Sequence, residues 1–121
     1  MKPFPILLCL MSFLSCKAAD FRSVDAETFA KVIEDTTVMR LDVRTANEYA
    51  QGHIPGALLI DVTQADFMQK AEQLLPKDKT IALYCRSGRR SKNAAMQLAQ
   101  HGYQVVELNT GFNSWKGEIE K

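Results

Sequence analysis

The sequence is poor in the residues that build disulfide scaffolds and metal centres. Three cysteines and two histidines among 121 residues are too few for a disulfide framework or a four-cysteine zinc site, and His53 and His101 lie too far apart to form a ligand pair. Six glycines and four prolines exclude a collagen-like or low-complexity chain. Fifteen basic and 14 acidic residues leave a net charge of +1, so neither a nucleic-acid-binding surface nor an acidic disordered tail is indicated.

The first 16 residues are typical of an export signal. Lys2 is their only charged residue, and the mainly apolar run from Ile6 to Leu14 is shorter than the ~20 residues that span a bilayer. The segment ends in Phe13-Leu14-Ser15-Cys16, which resembles the lipobox of bacterial lipoproteins, although Phe13 stands where that motif usually has Leu. Cys16 is therefore a candidate for lipidation. Cleavage after Ala18 and an uncleaved N-terminal anchor are the alternatives, and all three predict an exported protein, periplasmic or anchored to a bacterial membrane as a lipoprotein.

The part of the chain after the signal contains one thiol and no net charge. Residues 17–121 keep 14 basic and 14 acidic residues. Cys9 is lost with the signal, and Cys16 is removed or lipidated. Cys85 then has no partner for a disulfide within the domain. In an oxidising compartment such a lone thiol is either buried and inert or kept for its reactivity.

Apolar segments alternate with helix-forming segments along the rest of the chain. The predicted strands are Phe21–Val24, Thr37–Val43, Ala57–Ile60, Ile81–Tyr84 and Val105–Leu108. Five helices are predicted between and after these strands. The first starts at Asp25, the second covers Ala46–Gln51 with Thr45 as its cap, and the third has Phe67, Ala71, Leu74 and Leu75 on one face. The fourth runs from near Arg90 to Gly102, and the last is a turn of helix over Phe112–Lys116. This alternation predicts an α/β fold with a parallel sheet covered on both faces.

The chemically distinctive segment follows the predicted strand Ile81–Tyr84. It reads Cys85-Arg86-Ser87-Gly88-Arg89-Arg90-Ser91-Lys92. A loop that joins a strand to a helix N-terminus directs unpaired N–H groups towards one point, and Gly88 permits the backbone angles this needs. With four cationic side chains beside it, Cys85 is expected to have a lowered pKa and to attract an anion. The alternative is a buried structural cysteine beside a solvated basic helix end.

Three motifs stand in order around this segment. They are Asp42-Val43-Arg44 with Glu48-Tyr49 and Gly52-His53-Ile54-Pro55-Gly56-Ala57, then Tyr84-Cys85 with its loop, then Gly102-Tyr103 and Gly111-Phe112-Asn113-Ser114-Trp115. Together they resemble the signatures of the rhodanese (thiosulfate sulfurtransferase) family over residues 21–117. Thr110 stands where the family often has a second glycine, and we expect only a small local difference there. The implied organisation is a signal peptide over 1–16, a short linker over 17–20, a rhodanese-like domain over 21–117 and a tail over 118–121.

The resemblance implies a fold, a reaction and a set of partners. The fold would be a three-layer sandwich with a central parallel sheet of about five strands. Cys85 would accept a sulfane sulfur from a small anionic donor such as thiosulfate and pass it, as a persulfide, to a thiophilic acceptor: cyanide, a small thiol or a protein thiol. The N–H groups that would hold the sulfur belong to Arg86, Ser87, Gly88, Arg89, Arg90 and Ser91. No metal, organic cofactor or nucleic acid would take part, the membrane would be met only through the N-terminal segment, and the protein would be a monomer.

The remaining motif residues have structural interpretations. Asp42 and Arg44 are candidate supporting residues, because Asp42 can cap the strand end and pair with Arg44. Arg44 and Glu48 are four apart and are expected to pair on a short helix. His53 is expected to hydrogen-bond to backbone rather than act as a base, and Trp115 to pack in the core or at its edge.

Two other functions fit the same residues. A Cdc25-like phosphatase or arsenate reductase would need a Cys-x5-Arg loop to enclose an oxyanion, whereas Arg90 is the fifth residue after Cys85 and Ser91 the sixth. A non-enzymatic persulfide carrier or docking module would need the same reactive Cys85.

Overall fold

A single parallel sheet organises the chain. The computed structural model describes residues 20–121, so the predicted signal and Cys16 lie outside the described residues. The strands are β1 (Arg22–Val24), β2 (Met39–Asp42), β3 (Leu58–Leu59), β4 (Ile81–Tyr84) and β5 (Val105–Leu108). The helices are α1 (Ala26–Val32), α2 (Ala46–Gln51), α3 (Phe67–Leu74) and α4 (Arg89–Gln100), and a 3-10 helix covers Phe112–Ser114. The strand order is β1-β5-β4-β2-β3, and every neighbouring pair is parallel, which confirms the predicted α/β fold.

Alternation along the central strands divides the core into two layers. In β4, Ile81 and Leu83 pack with residues of α3 and α4 on one face of the sheet. Ala82 and Tyr84 point to the other face and pack with Phe29 of α1. Successive side chains of a strand lie on opposite faces, so a strand buried on both sides is apolar throughout. All four residues of β4 are buried, as the apolar run predicted.

Several details differ from the sequence prediction. The strand predicted over Thr37–Val43 is shorter, since the register with β4 covers Met39–Asp42, and the strand predicted over Ala57–Ile60 is reduced to Leu58–Leu59. Leu74 was predicted on the buried face of its helix but is half exposed. The helix ends at Leu74. The backbone of Leu75 is extended, and the Leu75 side chain is the one that lies in the core.

The helices of this part of the chain are short. The longest, α4, has 12 residues, and none of those within residues 20–121 is long and apolar enough to cross a membrane. Thr45 forms a capping box with Glu48 at the start of α2, in which each side chain bonds the other residue's backbone N–H. This fixes α2 directly after the carboxyl end of β2.

Candidate active site

Cys85 lies at the carboxyl end of β4, where parallel α/β sheets place their sites. Its side chain is buried. The Cys85 carbonyl accepts a hydrogen bond from the N–H of Phe112 (2.8 Å), and the Arg86 carbonyl accepts one from Asn113 (3.0 Å). The segment after β5 is thereby tied to the loop that follows Cys85.

The loop directs hydrogen-bond donors at the sulfur. The N–H of Gly88 donates to Cys85 Sγ at 3.1 Å. No side chain caps α4, so the N–H groups at its start are free to face the sulfur. Burial opposes ionisation of the thiol, but hydrogen bonds from Ser91, through both its hydroxyl and its N–H, and from the N–H groups of Gly88 and Ser87 outweigh it and lower the pKa of Cys85. The arrangement is a cradle of donors suited to a sulfur anion.

Glycine is required at two points of this cradle. Gly88 has φ = 101°, and a Cβ there would lie 1.9 Å from the Asn109 carbonyl oxygen. Gly111 has φ = 70°, and a Cβ there would lie 2.3 Å from the Arg86 carbonyl oxygen. The loop and the turn after β5 therefore pack backbone against backbone. Thr110, the departure from the family pattern, is exposed and donates to Ser114 Oγ (2.6 Å).

Two of the four cationic side chains of the loop form ion pairs with carboxylates, and the other two are exposed. Arg90 donates to both carboxylate oxygens of Glu48, at 2.8 and 3.0 Å. Lys92 forms an ion pair with Glu107 at 3.3 Å. Arg86 and Arg89 are exposed and pair with no carboxylate within residues 20–121. Hydrogen bonds from the loop are the main cause of the lowered pKa of Cys85, and of the four cationic side chains Arg90 interacts with the thiolate charge.

Asp42 and Arg44 form a buried pair beside the loop, as predicted. Arg44 Nη2 lies 2.7 Å from Asp42 Oδ2, and the Arg44 backbone N–H donates to Asp42 Oδ1 at 2.9 Å. The same guanidinium donates to the Gly52 carbonyl (2.7 Å) and lies 4.3 Å from the centroid of the Phe112 ring. The Arg44–Glu48 pairing was wrong. Arg44 precedes the first turn of α2, so helical i,i+4 spacing does not apply, and Glu48 pairs with Arg90 instead.

The two other motif residues have structural roles, as predicted. His53 Nδ1 lies 2.9 Å from the Tyr49 carbonyl oxygen, and its ring stacks on that of Tyr49. Trp115 packs edge-on against Phe29 in the layer of α1. Within the described part of the chain, no group of His, Cys, Asp or Glu side chains is arranged to hold a metal ion.

One buried polar residue near the site was missed. Glu107 lies inside β5 and is fully buried. Its carboxylate accepts hydrogen bonds from Ser23 Oγ (2.6 Å) and Ser91 Oγ (2.5 Å). The available signal was a charged residue within an otherwise apolar strand, which in a doubly covered sheet requires buried partners.

Comparisons with known proteins agree with this geometry. The family model of the rhodanese-like domain matches residues 25–118. The chain belongs to the rhodanese-like family. It is 37% identical over 94 residues to a sulfurtransferase of Allochromatium vinosum, covering 76% of this chain and 85% of that protein. It is 29% identical to the thiosulfate sulfurtransferase GlpE of Shewanella oneidensis, in a match that covers 80% of this chain and 94% of that protein. The crystal structure of a rhodanese-like domain protein from Staphylococcus aureus superposes with a TM-score of 0.71 at 28% identity. The superposition covers 83% of this chain and 97% of that one.

The Glu48–Arg90 pair makes a prediction about stability in acid. The hydrogen bond from Arg90 lowers the pKa of Glu48 from 4.5 to about 2, against the opposing effect of burial. A carboxyl with a lowered pKa stabilises the fold fully above its unfolded value and loses that contribution as pH falls towards its folded value. Glu48→Gln keeps a capping-box acceptor but removes the charge. We expect the difference in free energy of unfolding between wild type and Glu48→Gln to shrink as pH falls from 4.5 to about 2.

Urea unfolding at several pH values measures this difference. Glu72→Gln is the control, because it breaks an exposed ion pair with Lys77 and should change stability little at any pH. A Glu48→Gln difference that stays constant across the acid range would show that the carboxylate charge contributes nothing.

Proposed function

We propose that this rhodanese-like protein transfers sulfane sulfur from thiosulfate or a related anion to cyanide or a thiol through a persulfide at Cys85. The observation that carries the proposal is the donor cradle around the sulfur, with the Gly88 N–H at 3.1 Å. A persulfide places a second, negatively charged sulfur beside the first. Several fixed donors in a site without water stabilise such an anion.

The reaction has two balanced halves. The Cys85 thiolate attacks the outer sulfur of thiosulfate, an S–S bond forms, the S–S bond of thiosulfate breaks, and sulfite leaves with the electron pair. The acceptor then attacks the outer sulfur of the persulfide, and the Cys85 thiolate leaves. Because the thiolate returns unchanged, the reaction needs no metal or redox cofactor. The lowered pKa of Cys85 favours both its ionisation and its departure.

The loop suits one sulfur atom better than a tetrahedral oxyanion. A Cys-x5-Arg phosphatase loop would place its arginine at the position that Ser91 occupies here. The nearest arginine, Arg90, is already paired through both terminal nitrogens with Glu48. Arg90 is therefore not free to clamp an oxyanion, and the phosphatase and arsenate reductase alternatives lose support.

Cys85→Ser is the direct test of the nucleophile. A hydroxyl cannot carry sulfane sulfur, so thiocyanate formation from thiosulfate and cyanide should fall to the background rate while circular dichroism stays unchanged. Wild-type turnover in a steady-state assay also separates an enzyme from a carrier, since a carrier would release at most one sulfur per chain. Turnover by the serine variant above background would contradict the mechanism.

Arg86 and Arg89, which pair with no carboxylate in the described part of the chain, should attract the donor. Arg86→Ala and Arg89→Ala are each expected to raise the KM for thiosulfate by about threefold to tenfold at low salt, because each removes one charge near a divalent anion. The increase should shrink at high salt. Lys79→Ala is the matched control: Lys79 is an exposed cation at the amino end of β4, opposite to Cys85, and its removal should leave KM unchanged. Salt-independent losses would mean that Arg86 and Arg89 support loop structure instead.

Export is a separate part of the proposal, based on residues 1–16 alone. If Cys16 is lipidated, the wild-type protein should be found in the membrane fraction of its host, and Cys16→Ala should move it to the soluble fraction or leave it unprocessed. Fractionation and intact mass spectrometry measure both outcomes. A soluble wild type that begins at Ala19 would favour simple secretion after cleavage at Ala18.

A further inference from the structure

The tail, residues 118–121, is bound to the turn that follows α2. His53 and Glu120 pair as in an antiparallel sheet: the His53 N–H donates to the Glu120 carbonyl at 2.9 Å, and the Glu120 N–H donates to the His53 carbonyl at 2.8 Å. The Glu120 side chain contacts the same turn, since Oε1 lies 3.2 Å from His53 Nε2 and accepts from the Gly56 N–H at 3.3 Å. The sulfur-transfer scheme uses none of these contacts.

The turn that holds the tail also forms a wall of the active site. The Gly52 carbonyl accepts a hydrogen bond from Arg44 Nη2 at 2.7 Å. Gly52 also packs against the tail, where a Cβ would stand 3.1 Å from Ile119 Cγ2. Arg44, Gly52 and Phe112 line a cavity of about 250 Å³ beside the reactive loop, and Arg86, which is expected to attract the donor, lines it too. The tail thus contacts residues that set the shape of this cavity.

Both nitrogens of the His53 ring face oxygen atoms that accept hydrogen bonds and donate none. Nδ1 lies 2.9 Å from the Tyr49 carbonyl oxygen, and Nε2 lies 3.2 Å from the Glu120 carboxylate. A neutral imidazole carries one N–H, whereas an imidazolium carries two. Both contacts are therefore complete only when the ring is protonated. A neutral ring that keeps its hydrogen on Nδ1 would place the Nε2 lone pair against a carboxylate oxygen.

The surroundings of His53 leave Glu120 as the partner whose contact depends on this proton. Within residues 20–121, the hydrogen bonds and ring contacts of His53 and its two chain neighbours involve the titratable or charged side chains of Tyr49, Tyr84, Glu120 and Arg44, the last paired with Asp42. Burial raises the pKa of both tyrosines, so they stay neutral. Arg44 and Asp42 neutralise each other at 2.7 Å. Loss of the imidazole proton therefore acts mainly on the contact with Glu120.

We propose that His53 and Glu120 are positioning residues: the protonated His53 ring holds the tail against the turn at Gly52, and this contact keeps the cavity wall in place for the anionic donor. A contact made by the protonated ring is present at low pH and is lost as pH rises. The tail then keeps its backbone hydrogen bonds but loses its ion pair, and the donor binds more weakly. The inference rests on the proposed function only in taking this cavity as the place where the donor binds.

The comparison that isolates the contact is wild type against Glu120→Gln in the full chain. The amide of glutamine can accept a hydrogen from an imidazolium or donate one to a neutral imidazole, so its contact with His53 should not depend on pH. Glu118→Gln is the matched control, because it removes the same charge from the same tail and the Glu118 side chain forms no hydrogen bond or ion pair within residues 20–121. Both positions are exposed, so both variants should fold.

Hydrogen exchange at the residue 120 N–H, which bonds the His53 carbonyl, measures how firmly the tail is held. After correction for the intrinsic effect of pH on exchange, protection in the wild type should fall about twofold to fivefold between about pH 5 and pH 8, the size expected for a partly exposed ion pair over the range in which imidazoles titrate. Protection in Glu120→Gln should stay constant, and Glu118→Gln should follow the wild type. The NMR signal of the Arg44 Nε–H should shift with pH in the wild type and not in Glu120→Gln.

The KM for thiosulfate measures the consequence for the site. The ratio of the wild-type KM to that of Glu120→Gln cancels the effect of pH on the thiol itself. This ratio should rise about twofold to fivefold over the same pH range. The corresponding ratio of kcat should stay near one, because no hydrogen bond joins the tail to the donor cradle within the described residues. A tail with a merely structural role would leave both ratios independent of pH.

Wild-type protection that does not change with pH, or that changes equally in Glu120→Gln, would overturn the proposal. A change in protection with a constant KM ratio would overturn it as well, since the tail would then not position the cavity wall. The exchange and NMR measurements do not require sulfur transfer. A protein that shows the expected protection and Arg44 shift but forms no thiocyanate would contradict the proposed function and retain the coupling between the tail and the cavity wall.

Discussion

The hydrogen bond from the Gly88 N–H to the Cys85 sulfur is the interaction on which the site depends. It forms only if the chain reverses within three residues of β4, and that reversal places Gly88 in the left-handed region against the Asn109 carbonyl. Any side chain at this position would collide with backbone rather than with a movable group. The turn after β5 must therefore sit in one place, and Gly111, packed on Arg86, meets the same requirement from the other side.

The neighbouring strand ends supply the walls of the site. Asp42, at the end of β2, fixes Arg44, and Arg44 in turn holds the Gly52 carbonyl and covers the Phe112 ring. Glu48, at the start of α2, fixes Arg90. Each of these two carboxylates thus fixes the position of one guanidinium group through an ion pair. The positive charge left for a diffusing anion is that of the exposed Arg86 and Arg89, so the structural and the attractive arginines are different residues.

The sequence predicted the features that depend on local pattern. The apolar runs of β4 and β5 identified the central strands, because a strand covered on both faces has few solvent-facing side chains and is therefore apolar along most of its length. The cysteine at the strand end, Gly88 and the following helix indicated where the site lies. The partners of individual charges were not predictable in the same way. Glu48 meets Arg90 across 42 positions of sequence, and Glu107 meets Ser23 across 84, so both pairings depend on which strands are neighbours in the sheet.

Intact mass spectrometry can show whether this cradle holds a sulfur atom on Cys85. The protein is incubated with thiosulfate in the absence of an acceptor, and the added mass is localised by peptide analysis. We expect Cys85 to gain one sulfur atom, each chain to release one sulfite, and the original mass to return when cyanide is added. A chain that gains no sulfur, or that carries it anywhere other than Cys85, would show that the cradle does not hold a persulfide at this cysteine.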